Sequence, residues 1–337
     1  MAQLIDGVEK QERERGLIDG CGRRIDCMRI SVIDACDLQC VYCRPDASDV
    51  GEHRGRPLSD HQRLEFIRFL HQRYGLKHLR ITGGEPLLYR SLISFVASVR
   101  RAAPDLALAM TTNGHRLQTQ ALELRRAGLD RLNVSLDSLD PERYRRITGG
   151  RLDDVFAGLE SARRAGFSPP KVNMVVLRDI NDDEIIPLAE WALSRGCQVR
   201  FLEAMPIGQA AKFNSQAFVS AAEIRATLGA HFRLEPLPDA RGGTAKCFLA
   251  SRGSYMGTVG IISPVSEPFC GGCGRIRLTA DGRLYPCLLD SRSVPLSSAW
   301  SADAFDHAEA DRLVRGAVSS KKPRGRVQAT PMVTLGG

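Results

Sequence analysis

Between residues 28 and 203 the chain alternates between two textures, and this alternation constrains the fold more than any other feature. Short runs rich in apolar and β-branched residues stand at 28–33, 78–82, 106–112, 131–137, 171–177 and 198–204. Longer stretches with helical spacing lie between them. In 59–74, Leu64, Ile67, Phe69 and Leu70 lie close to one stripe, and in 90–102 Leu92, Phe95, Val96 and Val99 do the same. Stretches 118–127 and 152–165 each run into Ala-Gly, a helix stop. Stretch 182–195 opens on Asn181-Asp182-Asp183-Glu184, with carboxylates where a helix N-terminus favours them. Six strands interleaved with helices imply a parallel sheet with right-handed crossovers. Several of the runs read as continuously apolar, as parallel strands buried on both faces do. An open doubly wound sheet and a partial barrel both fit. In either, chemistry sits at the carboxyl ends of the strands. The unusual residues collect there: three cysteines after the first run, Gly83-Gly84-Glu85-Pro86 after the second, Thr111-Thr112-Asn113-Gly114 after the third.

Past about residue 230 the texture changes. Segment 236–258 is Pro- and Gly-rich and is expected to be irregular, 261–264 and 276–278 read as short strands, and 318–330 reads as a basic surface arm. A chain of 337 residues buries a core without staples. The expected division is 1–230 and 231–337. No run approaches the ~18 apolar residues of a membrane span, and the first twenty residues lack the apolar core of a secretory signal. A cytoplasmic location and no membrane partner are therefore expected. Lys and Arg number 47 against 39 Asp and Glu, a formal charge of +8. That excess points to an anionic partner without choosing among nucleic acid, a membrane surface and a phosphorylated small molecule. Aromatic residues are only 6% and are not interleaved with the basic ones, which argues against a zinc-dependent nucleic-acid module that stacks bases.

Ten cysteines in a reducing compartment point to metal binding or catalysis rather than disulfides. Cys21, Cys27, Cys197 and Cys247 are scattered and carry no assigned role. Cys36, Cys40 and Cys43 put three thiols within eight residues of one loop. A structural zinc site takes four closed ligands, whereas a four-iron cluster held by three thiolates keeps one iron open to a small molecule. Cys270, Cys273 and Cys287 form a second triad, for which spacing alone weights zinc and iron–sulfur equally.

The first triad, with the aromatic Tyr42 before its last cysteine and with Gly83-Gly84-Glu85-Pro86 ending the next strand, resembles the radical S-adenosylmethionine (SAM) superfamily. The order Met28-Arg29-Ile30-Ser31-Val32, Arg80-Ile81-Thr82, Thr111-Thr112-Asn113-Gly114, Asn133-Val134-Ser135, Lys171-Val172-Asn173, Arg200-Phe201-Leu202-Glu203-Ala204-Met205, the second triad with Arg275 and Arg277, and a terminal Gly336-Gly337 narrows the likeness. It is similar to the molybdenum-cofactor biosynthesis protein A (GTP 3′,8-cyclase) family from about residue 25 to the end.

The resemblance implies an α/β fold: an incomplete (β/α)6 TIM-type barrel with a C-terminal α+β or irregular extension carrying a second cluster. It implies two 4Fe–4S clusters, one on Cys36, Cys40 and Cys43 and one on Cys270, Cys273 and Cys287. Tyr42, Gly83, Gly84, Glu85, Ser135 and Met205 would contact SAM. Arg29, Arg80, Thr111, Lys171, Arg200, Arg275 and Arg277 would contact GTP. Arg29, Arg275, Arg277, Gly336 and Gly337 would assist catalysis. The implied reaction abstracts hydrogen from the ribose C3′ of GTP and closes a bond to guanine C8, giving (8S)-3′,8-cyclo-7,8-dihydroguanosine 5′-triphosphate. Implied partners are a flavodoxin- or ferredoxin-type electron donor and the cyclic pyranopterin monophosphate synthase that follows. The implied assembly is a monomer or homodimer. His78 stands where the family has a phosphate-contacting Lys, and Ala35, Asp37, Gln39 and Gly274 also depart from its pattern. The alternative is a paralogous radical SAM enzyme with an auxiliary cluster, acting on another nucleotide or a peptide.

Overall fold

Strands form at all six expected runs: β1 (Cys27–Ser31), β2 (His78–Thr82), β3 (Ala107–Thr112), β4 (Arg131–Ser135), β5 (Lys171–Val176) and β6 (Gln198–Glu203). The computed structural model describes residues 16–43, 56–207, 210–238, 243–301 and 304–325. Between the strands run α1 (Asp60–Tyr74), α2 (Leu92–Ala102), α3 (Leu117–Arg126), α4 (Pro141–Thr148), α5 (Leu152–Arg164) and α6 (Ile185–Ser194). Local chemistry sets their bounds. Ser59 Oγ accepts from the Gln62 N–H while the Gln62 side chain accepts from the Ser59 N–H, a reciprocal cap that starts α1. Gly75, at φ 66°, ends it.

Neighbouring strands from β1 to β6 pair in parallel in chain order. The helices pack on one another in sequence, α1 on α2, α2 on α3 and α3 on α5. The opposite face of the sheet lines a single cavity. A doubly wound sheet would carry helices on both faces, so the arrangement is the partial TIM-type barrel.

The strands alternate more cleanly than their sequence suggests. In β3, β5 and β6 every second residue enters the core, and the others face inward half-buried. The helix-covered face carries Met28, Ile30, Leu79, Ile81, Leu108, Met110, Val172, Met174, Val199 and Phe201, all nearly inaccessible. The inner face carries Arg29, Arg80, Thr111, Asn173 and Arg200. The expected continuous apolar runs are therefore corrected. Short side chains such as Ala107 and Ala109 read as apolar, but they are the half-buried positions of β3.

The C-terminal extension adds to the same sheet at both edges. It supplies β7 (Arg233–Pro236), β8 (Ala245–Arg252), β9 (Tyr255–Ile262), β10 (Arg275–Leu278), β11 (Arg283–Tyr285) and β12 (Val294–Pro295). Strand β9 pairs in parallel with β6, and β10 in parallel with β1. The result is one twelve-stranded sheet in the order β12-β11-β10-β1-β2-β3-β4-β5-β6-β9-β8-β7. Stretch 236–258, expected to be irregular, holds β8 and the start of β9, which pair as an antiparallel hairpin. Helices α7 (Ala211–Gln216) and α8 (Ala221–His231) lead from the barrel into the extension, and α9 (His307–Ser319) lies near its end.

One buried arginine joins the two regions. Arg63, on α1, is 1% exposed. It donates to the carbonyl of Val32 at 3.1 Å and of Ala280 at 3.4 Å, and to the Tyr89 hydroxyl at 2.8 Å. It thus ties the exit of β1 to the turn after β10.

Phe201, fully buried on the outer face of β6, provides a direct test of this layering. Phe201→Ala is expected to cost about 3–5 kcal/mol in denaturant unfolding. Leu122→Ala, at a side chain 48% exposed, should stay within about 0.5 kcal/mol.

Candidate active site

The inner face of the barrel and the C-terminal strands enclose a cavity of about 310 Å³. Both cysteine triads line it, Cys36, Cys40 and Cys43 from one loop and Cys270, Cys273 and Cys287 from the extension. So do Tyr42, Gly83, Gly84, Glu85, Thr111, Ser135 and Met205, together with Arg29, Arg80, Arg200, Arg275 and Arg277. Lys171 does not reach the wall. It sits at the start of β5, two residues before the wall residue Asn173, where the charges of Arg200 and Arg80 act on it. Gly336 and Gly337 lie outside the described residues.

Strand register explains how the arginines meet. Arg277, Arg29 and Arg80 occupy paired positions on β10, β1 and β2, so they share one face in a row. Burial first, and then the charges of Arg80 and Arg275, lower the Arg29 pKa to about 9. Arg80 falls to about 10, chiefly by burial, and Lys171 to about 8, by burial and then Arg200 and Arg80. Arg277 is pushed well down by burial and then by Arg29 and Arg275. The Nε groups of Arg29 and Arg200 are buried without a hydrogen-bond partner.

Carboxylates line the same cavity, but they are committed elsewhere. Glu85, 1% exposed, accepts from the Thr112 hydroxyl at 2.7 Å and from the backbone N–H of Asn113 at 2.7 Å and of Leu87 at 3.0 Å. Asp137 accepts from the Tyr42 hydroxyl at 2.7 Å and the Val175 N–H at 2.9 Å. Glu203 accepts from the N–H groups of Ala221, Val265 and Ser266 and from the Ser266 hydroxyl. None of these forms an ion pair with Arg29, Arg80 or Arg200. Arg29, Arg80 and Arg200 therefore put positive charge on the cavity wall with no carboxylate paired to them among the described residues, which is the chemistry of an anion site.

The first cysteine loop is laid against the strand-two turn by backbone contact. The Gly84 N–H donates to Ile33 O at 2.7 Å and the Glu85 N–H to Ala35 O at 2.9 Å. A Cβ on Gly84 would stand 2.3 Å from the Ala35 carbonyl oxygen, and one on Gly83 2.5 Å from that of Ile33. These glycines are required by the loop itself. The loop's far side is held by the Gln39 N–H on Thr148 O and the Val41 N–H on Ile147 O. Burial, then Asp137 and the thiols of Cys43 and Cys36, push the Cys40 thiol well above its ordinary value.

At the second triad the balance differs between cysteines, burial raising the Cys287 thiol. Burial raises the Cys273 thiol, but Arg275 and Lys321, with hydrogen bonds from Arg275, outweigh it and hold the thiol below its ordinary value. Gly274, a departure in the sequence, is explained by packing: a Cβ there would stand 2.3 Å from the Arg24 carbonyl oxygen. Among the described residues no three His, Cys, Asp or Glu side chains are gathered tightly enough for one metal ion. The three soft thiols of each triad are donors that could hold an iron–sulfur cluster, in which each thiolate takes a different iron.

Sequence reasoning did not single out Asp137, Glu203 or Lys321. Asp137 stood within the quoted strand-four run and could have been found as a strand-end carboxylate. Lys321 lies in the stretch expected to be a surface arm, yet it is 3% exposed and lines the cavity. That expectation is corrected at Val318 and Lys321, which are buried, whereas Lys322, Pro323 and Arg324 are exposed. His78 is exposed at the base of β2 and does not line the cavity.

The Radical SAM superfamily matches residues 30–192, and the Molybdenum Cofactor Synthesis C family matches residues 197–327. A GTP 3′,8-cyclase of Heliobacterium modesticaldum is 41% identical over 314 residues, 90% of this chain and 93% of the relative. One of Thermodesulfovibrio yellowstonii is 38% identical over 325 residues, 95% and 99% of the two chains. Among solved structures, Streptococcus suis SuiB bound to precursor peptide SuiA has a similar fold, with TM-score 0.60 at 14% identity, covering 88% of this chain and 67% of that one.

Burial, opposed by its three hydrogen bonds, raises the Glu85 pKa from 4.5 to about 7. Between those values the folded chain keeps a proton that the unfolded chain has released. The stability this group contributes is full below about pH 4.5 and is lost as pH rises through about 7. Denaturation between pH 5 and 8 should show that loss, and Glu85→Gln should flatten it.

Proposed function

Because the chain belongs to the GTP 3′,8-cyclase family of radical SAM proteins, we propose that it converts GTP to (8S)-3′,8-cyclo-7,8-dihydroguanosine 5′-triphosphate, an early step toward the molybdenum cofactor. The observation that carries this reading is the cavity itself: the buried side chains of Arg29, Arg80 and Arg200, which no described carboxylate pairs, set between two cysteine triads. Superfamily membership implies a 4Fe–4S cluster and SAM, and Cys36, Cys40 and Cys43 are the residues that would hold that cluster. When bound, the two together supply a one-electron cleavage that abstracts a hydrogen atom.

The remaining work falls to the chain's own side chains. Gly83 and Gly84 hold the first cysteine loop against the barrel, and Glu85 braces the turn at Thr112 and Asn113. Tyr42, Ser135 and Met205 form the wall assigned to SAM. Arg80 and Arg200, on the cavity wall, are assigned to the triphosphate, where guanidinium forks bind phosphate oxygens bidentately; Lys171, assigned to it by the resemblance, stands behind that wall and would have to extend its side chain to reach it. Arg29 and Thr111 are likewise assigned to GTP, and Arg29 to catalysis as well. Arg275 and Arg277 orient GTP beside the second triad. Cys270, Cys273 and Cys287 would hold a second 4Fe–4S cluster, and the Gly336-Gly337 terminus would complete the site. Binding that fills the cavity excludes water and fixes the ribose against the reacting group. The wider reading keeps the division at 230/231, a flavodoxin- or ferredoxin-type donor, the pyranopterin synthase as consumer of the product, a cytoplasmic monomer or homodimer, and no nucleic-acid or membrane partner.

Anaerobically reconstituted protein given SAM, reductant and GTP deuterated at C3′ should yield 5′-deoxyadenosine carrying deuterium by mass spectrometry. Unlabelled deoxyadenosine would remove GTP C3′ as the site, and none at all from cluster-loaded protein would remove the activity. Arg80→Ala should weaken GTP in equilibrium binding by about 10- to 100-fold, the loss of a charge-assisted contact, with iron content unchanged.

A further inference from the structure

Lys321 follows α9 and turns back into the protein. Its Nζ donates to the Arg275 carbonyl at 2.9 Å and to the Pro286 carbonyl at 2.5 Å. Those carbonyls stand two residues after Cys273 and one before Cys287. The backbone that carries Lys321 is held in turn by Arg23, itself 8% exposed. Arg23 donates to the carbonyls of Lys322 at 2.8 Å, Pro323 at 3.2 Å and Lys321 at 3.5 Å, and also to the Cys270 carbonyl at 2.8 Å. Asp19 aims it, at 2.6 Å from Nε. Each cysteine of the second triad thus has a carbonyl, its own or one within two residues, held by one of two buried cations. Past them, Gly325 packs on the triad: a Cβ there would stand 3.1 Å from Cys287 Sγ.

Arg23 has a carboxylate partner and Lys321 has none among the described residues. An ammonium withdrawn from water is costly unless a negative charge compensates it. Two carbonyl dipoles satisfy two of its three protons but bring no net charge. The groups on which its charge acts are the thiols of Cys273 and Cys287.

We propose that Lys321, locked in place by Arg23, is the positioning and charge-compensating residue of the second triad, offsetting the anionic thiolate cluster held there and raising its reduction potential. This rests on the reading of Cys270, Cys273 and Cys287 as a cluster site. A positive charge beside a redox centre favours its reduced, more negative form. Removing that charge therefore lowers the potential, and restoring it in another shape recovers it.

The test uses the full chain with Cys36, Cys40 and Cys43 replaced by Ala, so that only the second triad is loaded. Iron is counted, and the midpoint potential is followed by electron paramagnetic resonance. Lys321→Met is expected to raise the oxidised-to-reduced ratio at fixed potential about tenfold, a fall of about 59 mV for one electron, and Lys321→Arg is expected to recover most of it. Loss of iron in Lys321→Met with retention in Lys321→Arg also supports the assignment. An unchanged potential in iron-loaded Lys321→Met overturns it, as does equal loss of iron in both variants. A parent chain that takes up no iron at the second triad overturns the cluster reading instead.

Discussion

Positive charge held out of water on the inner face of the barrel is the constraint on which the rest of the structure depends. Arg277, Arg29 and Arg80 stand in register across three neighbouring strands, and like charges so close destabilise an empty interior. The barrel therefore has no packed centre of the kind that fills a closed (β/α)8 barrel. Its core lies entirely between sheet and helices, where Ile30, Ile81, Met110, Val134, Met174 and Phe201 are fully buried. The outer layer must supply the stability that the inner one lacks, and the clean alternation of the strands is how one sheet serves both purposes.

Cavity and cysteines are joined by backbone rather than by side chains. The loop before Cys36 lies on Gly83 and Gly84 at distances no other residue allows, and Glu85 ties that turn to the next strand end through Thr112 and Asn113. A short motif thereby fixes three strand ends relative to one another. The second triad is arranged differently, because its cysteines lie on a 3-10 turn and a loop with no helix behind them. Cations that reach carbonyls from distant parts of the chain take the helix's place.

The cysteine spacings and the glycine pair were legible in the sequence because each is a local pattern; the arginines were marked only by the family resemblance, and their pairing across strands is non-local. The boundaries of β1 to β6 were legible because they too are local patterns. The direction of the inner face was not: Val175 looks like a core residue until its neighbours place it beside a cavity, and Ala109 is only half-buried. Arg23, Arg63 and Lys321 were illegible for another reason. Each is held by backbone carbonyls remote in sequence, and a carbonyl contact leaves no trace in residue type. Gly274 looked like a departure because its cause, the approach of the Arg24 carbonyl, is likewise a backbone event.

The pairing of β10 with β1 brings Arg275 beside Cys27, and it sets a timetable. During synthesis β1 leaves the ribosome with one edge unpaired, and its neighbour on that side is made only after most of the chain. At ordinary elongation rates the wait is on the order of tens of seconds. The other edge, at β6, waits less, since β9 follows soon after. A nascent barrel therefore spends its youth with one raw flank, and long-range pairing of this kind is slow to close.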